Sequence, residues 1–269
     1  MTEPQGRTRA AKVGTALITG ASSGIGLELA KLFAQNGYDV VLVARRREKL
    51  RALASELARD YSIEATVCAC DLARPGAPAR LFAFVERRRI VVDVLVNNAG
   101  AMFNGEFAEA PLARHLGVLT LDVVVPTALA HLFLGPMLAR GRGRILNVGS
   151  MAGFQPVPRL AVYAASKAYL LHWSEALSEE LMGTGVSVTA LCPGFTATDI
   201  LGEAPDVSRL PAFAVGSAEA VAREGYAACF NGDAVRVTGL SNQLAALLIQ
   251  YQPRWLTRAI GGALARRNR

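Results

Sequence analysis

The chain is poorly supplied with metal ligands and disulfide partners: its 269 residues include four cysteines, three histidines and two tryptophans. Cys68, Cys70, Cys192 and Cys229 fall in apolar runs, and Cys68-Ala-Cys70 alternates as a strand does. None has the paired spacing of a zinc site, so they read as reduced packing residues of a cytoplasmic protein. His115, His131 and His172 are dispersed over helical stretches, which leaves them packing or surface roles and predicts no metal centre. There is no Pro/Gly/Ser-rich linker and no internal repeat. A single domain over residues 1–269 is therefore expected, with a core at about 12–239 and an extension at 240–269. No signal-peptide hydrophobic region opens the chain, and no apolar run reads as long enough to span a bilayer. Acidic residues are absent after Asp233, where six Arg follow. Residues 1–233 hold 23 of the 29 basic residues and all 22 acidic ones, a net of +1 out of the total of +7. The basic character belongs to the tail, which argues against a nucleic-acid-binding core.

What the chain does have is apolar material, 52% of its residues, in a repeating order. Strands are expected at 13–19, 39–43, 63–70, 91–96, 144–148, 185–191 and 234–238. Helical spacing fills the intervals at 27–36, 48–60, 78–88, 111–139, 163–181 and 217–230. Pro126 and Gly135-Pro136 should kink the long fourth helix. Strands alternating with helices predict an α/β fold, a doubly wound parallel sheet of about seven strands with helices on both faces. Its site should lie at the carboxyl ends of the strands.

Chemistry-bearing residues cluster at those ends. Gly20-Ala-Ser-Ser-Gly24-Ile-Gly26 follows the first strand and opens a helix, the arrangement of a phosphate cradle. The second strand ends in Ala44-Arg45-Arg46-Arg47, where an acidic residue would meet the ribose diol of NAD; a guanidinium suits a 2′-phosphate instead. Ser150 lies just past the fifth strand. Tyr163 and Lys167 are four apart and share one helix face. A phenol alone titrates near ~10, and an ammonium beside it favours the phenolate, so the three suggest acid–base chemistry on a carbonyl or hydroxyl. Residues 199–216 are apolar and turn-rich, a lid candidate.

In register, these motifs resemble the short-chain dehydrogenase/reductase superfamily: Thr19 to Gly26, Asp71, Asn97-Asn98-Ala99-Gly100, Ser150, Tyr163-Ala-Ala-Ser-Lys167 and Pro193-Gly194-Phe-Thr-Ala-Thr198. The resemblance covers residues 12–239 and implies a Rossmann fold, a nicotinamide cofactor and a homodimer or homotetramer packed through the helices holding Asp122 and Tyr163. It makes Tyr163 the general acid and base, Lys167 its electrostatic partner and a ribose ligand, and Ser150 the donor to the substrate oxygen. Cofactor contacts are implied for Gly20, Ser22, Ser23, Gly24, Ile25, Gly26, Arg45, Arg46, Asp71, Leu72, Asn98, Ala99, Gly100, Tyr163, Lys167, Pro193, Gly194, Thr196 and Thr198. NADP(H) is expected over NAD(H), with Arg45 on the phosphate and Ser22 or Arg46 assisting. The expected substrate is a bulky apolar carbonyl or alcohol, walled by Met102, Phe103, Phe154, Leu160, Ile200, Leu201, Leu210 and Phe213.

One position departs from the family's pattern. A mid-helix Asn that anchors a proton-relay water is replaced, by position, by Asp122. Asp lacks the amide donor. If the relay uses the backbone carbonyl, turnover is kept; if it needs the amide, turnover falls and a nucleotide-binding protein with little activity results. The tail, 240–269, lies beyond the resemblance. A helix is expected over 241–252 with Leu244, Leu247, Leu248 and Tyr251 on one side, and a second segment from Pro253. Two readings apply: an extension packed on this domain or a neighbouring subunit, or a peripheral membrane contact made by Trp, Leu and Ile with the basic residues.

Overall fold

The computed structural model describes residues 13–196, 215–253 and 255. Seven strands form one parallel sheet: β1 (Gly14–Thr19), β2 (Tyr38–Ala44), β3 (Ala65–Ala69), β4 (Val94–Asn97), β5 (Gly143–Val148), β6 (Val186–Cys192) and β7 (Val235–Val237). Their order is β3-β2-β1-β4-β5-β6-β7. β1 pairs with β2 from Gly14 opposite Tyr38 to Thr19 opposite Val43, and with β4 on its other edge. The winding reverses between β1 and β4, so a crevice opens past Thr19 and Asn97.

Successive strand side chains point to opposite faces, and both faces are covered. Ala16, Ile18, Val40 and Leu42 pack under α1 (Gly24–Gln35), α2 (Arg47–Tyr61) and α7 (Ala218–Asn231). Leu17, Val41 and Val43 pack under α3 (Ala77–Arg87), α5 (Val125–Ala139) and α6 (Ala161–Glu180). This double burial explains why the strands read as continuous apolar runs. Ser217 caps α7, its hydroxyl accepting from Ala220 N at 3.1 Å, as its position predicts. Element limits shift from expectation by up to three residues.

Three expectations are refined or corrected. The long fourth helix forms with Pro136 inside it, but it is not uniform. α4 (Leu112–Leu119) runs into a π-helical turn, Thr120–Val124, and then α5. Pro126 sits in the first turn of α5, directly after the π turn. Second, the continuous stretch Leu112–Ala139 is, by length and composition, long and apolar enough to cross a membrane, an 18-residue window within it having a mean hydropathy of 1.8. Asp122 and the prolines hide this in the sequence. Leu129, Phe133 and Met137 are its apolar substance, and they lie in the core of this structure. Third, α8 (Leu240–Tyr251) forms as expected; its leucine side, whose facing the sequence left open, points outward, and Ala246 is its buried residue. Of the segment expected after Pro253, only Trp255 lies among the described residues.

Candidate active site

The nucleotide side of the crevice is built from main chain. Gly20 and Gly24 have φ of 70° and 58°, which glycine adopts without a Cβ clash. A Cβ on Gly20 would lie 2.6 Å from Asn98 Nδ2, and one on Gly26 2.6 Å from Gly20 O. The fourth strand's end is laced to this turn. Thr19 Oγ1 donates to Val96 O at 3.1 Å and accepts from Asn98 N at 2.9 Å and Ala99 N at 3.0 Å. Asn98 Nδ2 donates to Thr19 O at 2.9 Å. Asn98 is thus a brace between two loops. No side chain caps the start of α1, so its first amides remain available to an anion. Ser22 and Ser23 instead accept from Arg46: Nη2 lies 2.9 Å from Ser22 Oγ and 2.7 Å from Ser23 Oγ.

Here the cofactor contacts expected from the sequence sort themselves. Arg46, not Arg45, is the guanidinium joined to the glycine turn. Ile25 is partly buried against the core, and Leu72 is buried within it. Asp71 stays partly exposed, its Oδ1 accepting from Ala73 N at 3.1 Å.

The opposite side is built from buried charge. Tyr163 lies in the first turn of α6 and Lys167 one turn on. Lys167 Nζ is 5.5 Å from the centre of the Tyr163 ring. It donates to Val148 O at 3.2 Å and lies 3.4 Å from Asp122 Oδ2. Asp122 comes from the π turn, and its side chain is fully buried. Its Oδ1 accepts from Ala101 N at 2.8 Å and its Oδ2 from Ser166 Oγ at 3.2 Å. Gly100 leaves room for the meeting, because a Cβ there would lie 3.2 Å from Asp122 Oδ1 and 3.5 Å from Lys167 Nζ. Burial pushes the Asp122 carboxyl above the usual carboxylate range, against the pull of Lys167 and the two hydrogen bonds. Burial also works to lower Lys167, but the Asp122 and Tyr163 charges outweigh it and the ammonium is held above its ordinary value. Each buried charge is tolerable because the other is present.

Ser150 opens the short 3-10 turn Met151–Phe154, its hydroxyl accepting from Ala152 N at 3.1 Å. That turn is seated on α6, where a Cβ on Gly153 would come within 2.8 Å of Lys167 O. The turn and the end of β5 therefore hold Ser150 against the helix that carries Tyr163 and Lys167. Past β6, Met151 N donates to Pro193 O at 2.9 Å, Gly194 lies against Asn242, and Thr196 Oγ1 donates to Gly194 O at 3.1 Å. Thr198, Ile200, Leu201, Leu210 and Phe213 lie outside the described residues.

A cavity of about 250 Å3 adjoins Tyr163, lined among others by Phe103, Phe107, His115, Val118 and Val162. Phe103 therefore lines a cavity beside Tyr163. Phe154 packs instead on the buried cluster of Leu171, Ala190 and Cys192. His115 has the packing role foreseen: it is buried, its Nε2 is 3.0 Å from Phe107 O, and its ring stacks on Phe107 with centres 4.4 Å apart. Sequence reasoning missed two supports. Ser166 carries a hydroxyl to Asp122, and a buried chain runs from Asn97 Nδ2 to Asn147 Oδ1 at 2.9 Å and from Asn147 Nδ2 to Ser174 Oγ at 2.9 Å. Asn inside an apolar strand and Ser inside a helix were the available signals. The cysteines are free, as read, and burial pushes the Cys192 and Cys229 thiols up to about 12.

A glycine turn with an uncapped helix start on one wall, and a Tyr–Lys pair at the strand ends on the other, define a nucleotide-dependent oxidoreductase. The sequence pattern of the family described as short chain dehydrogenase matches residues 14–207, and the chain belongs to that family. It is similar to the ketoacyl reductase HetN of Nostoc sp., 36% identical over 186 residues, 68% of this chain and 63% of that protein's length. It is also 32% identical over 247 residues to inactive hydroxysteroid dehydrogenase-like protein 1 of Rattus norvegicus, covering 90% of this chain and 73% of the rat protein. Among solved structures, the short-chain dehydrogenase from Sphingobium yanoikuyae in complex with NADPH matches with a TM-score of 0.80 at 32% identity, over 87% of this chain and 92% of that one.

Proposed function

We propose that the chain is an NADP(H)-dependent oxidoreductase interconverting a carbonyl and a secondary alcohol on a bulky apolar small molecule, with NAD(H) the poorer cofactor. The observation that carries this reading is Lys167: a buried ammonium, held by Asp122 and Val148 O, poised over Tyr163. The crevice fits such a cofactor, since no side chain caps the start of α1 and its first amides stay open to a phosphate. The amides of Gly24, Ile25 and Gly26 suit the pyrophosphate, Arg46 with Ser22 and Ser23 the 2′-phosphate, and Asp71 the adenine amine. Lys167 would hold the nicotinamide ribose, and Thr196 and Thr198 the carboxamide end. Bound there, the nicotinamide supplies the hydride. In reduction Tyr163 Oη gives its proton to the carbonyl oxygen as hydride reaches the carbon; in oxidation it takes the proton back. Ser150 Oγ steadies the oxygen where negative charge develops. The aromatic cavity beside Tyr163 supports a bulky substrate. The outward Leu112, Leu116, Val124 and Tyr169 support a homodimer or homotetramer across α4 and α6.

The test is NADPH oxidation against aldehydes and ketones of increasing bulk, with NADH in parallel. A second reading, a nucleotide-binding protein with little turnover, is favoured by Asp122 and by the likeness to an inactive relative over 90% of the chain. Tight NADPH binding with no turnover on any carbonyl would establish that second reading.

A further inference from the structure

One edge of the sheet is left open to bonding. β3 lies there, five residues long, Ala65-Thr-Val-Cys-Ala69. Its inner side is taken: Val40 N donates to Glu64 O at 2.9 Å and Cys70 N to Ala44 O at 2.9 Å. Successive residues of a strand bond to alternate sides, so Thr66 and Cys68 also face β2. Ala65, Val67 and Ala69 then turn one N–H and one C=O each away from the sheet, and no described residue bonds to those groups. Edge strands are commonly guarded by a charge, a proline or their shortness. The opposite edge is guarded: β7 is three residues long with Arg236 at its middle, paired with Glu224 at 3.3 Å. The sequence of β3 holds no charge and no proline.

Charge surrounds this edge instead. Residues 45–89 carry eleven Lys and Arg against six Asp and Glu, although residues 1–233 as a whole are nearly balanced. Arg47 opens α2, on the face where Ala65 and Val67 pack. Arg80 lies in α3 and Arg88 caps its end, on the face of Cys68 and Cys70. The charges of Arg88 and Arg47 act on the Cys68 thiol, and those of Arg80 and Arg74 on Cys70, each against the rise that burial causes. Arg74 lies 3.9 Å from Asp71. Arg80 donates to Pro75 O at 2.8 Å and Arg88 sits 3.8 Å over the Phe84 ring, contacts that leave both charges uncompensated. Among the described residues no carboxylate pairs with Arg47, Arg80 or Arg88.

The edge calls for a peptide and the arginines call for an acid. A free row of N–H and C=O groups is matched by another extended backbone. A second copy pairing β3 with β3 about a two-fold axis would bring both sets of Arg together, so charge opposes self-association. We propose that the free edge of β3 takes up an extended acidic segment of a partner protein as an added strand. Its side chains would alternate between Arg47 on one face and Arg80 and Arg88 on the other. The proposal is independent of the reaction assigned to the crevice.

The test uses the full-length protein and a short capped peptide of Val and Thr with Glu on both strand faces. Amide exchange at Ala65, Val67 and Ala69 should slow at least about tenfold when the peptide binds. Replacing its Glu by Gln, or N-methylating alternate residues, should each weaken binding at least about tenfold. Arg80→Glu/Arg88→Glu should do the same. So should Val67→Pro, with its thermal midpoint kept, because the lost N–H serves no bond within the sheet. If Val67→Pro does not fold, the N-methylated peptide decides alone. Three results would overturn the proposal. One is no binding of the acidic peptide. Another is binding indifferent to N-methylation with the three amides unprotected, which would make the arginines a general polyanion site. The last is a parent oligomer that dissociates in Val67→Pro, which would assign the edge to a second copy.

Discussion

The two ends of the nucleotide crevice handle charge in opposite ways. At the rim, Arg46 is exposed and reaches Ser22 and Ser23, two neutral hydroxyls on a loop. At the catalytic end, Lys167 and Asp122 have side chains 7% and 0% exposed, and they neutralise each other. Exposed charges are screened, and their contacts are worth little until a ligand arrives. Buried ones are costly alone and strongly coupled as a pair. The rim is thus suited to choosing a cofactor, and the buried end to holding a proton donor in place.

The sharpest separation of the two ends is Tyr163→Phe. The ring and its packing survive while the transferable proton is lost. Turnover should fall roughly a hundred- to ten-thousand-fold, with NADPH affinity by titration nearly unchanged. A comparable loss of affinity would show that the buried end also governs binding.

Next comes the ion pair. Asp122→Ala leaves an ammonium buried without its counter-ion, and a loss of about 3–5 kcal/mol in unfolding free energy is expected. Asp122→Asn retains an acceptor for Ala101 N–H and should keep turnover within about tenfold. A far larger fall in the Asn variant, with stability intact, would give the carboxylate a chemical role beyond pairing.

At the rim, Arg46→Ala should raise the KM for NADPH about tenfold and leave that for NADH nearly alone. Ala44→Asp should repel the 2′-phosphate and move preference toward NAD. Equal efficiency with both cofactors in the parent protein would remove the basis for either change. The smallest effect is ionic: raising salt tenfold should weaken NADPH binding about threefold without altering turnover at saturation. Salt-sensitive turnover would mean that the buried pair is reached by solvent.

Much of this was legible beforehand, and the manner of the legibility differs by element. The glycine turn, Ser150, and the Tyr163–Lys167 spacing are short-range patterns, and each appears where its strand or helix places it. Arg45 was expected ahead of Arg46, yet Arg46 is the one that reaches the glycine turn, because neighbouring residues in a strand-to-helix turn point in directions the sequence does not encode. Asp122 could be located by position, but not seen as a direct partner of Lys167, because no local pattern announces the π turn that carries it. The α8 stripe was read correctly as a stripe and left open as to what it faces.

By itself, then, the sequence determined the alternation of strands and helices and the residues at the strand ends. Periods of two and 3.6 and the conformational freedom of glycine are properties of short segments. Only the tertiary structure decided which charges meet, which of two arginines touches the glycine turn, and that α8 presents its leucines outward. Those outcomes depend on contacts between residues far apart in the chain, such as Asp122 and Lys167, whose approach is set by how α4, α5 and α6 pack on the sheet.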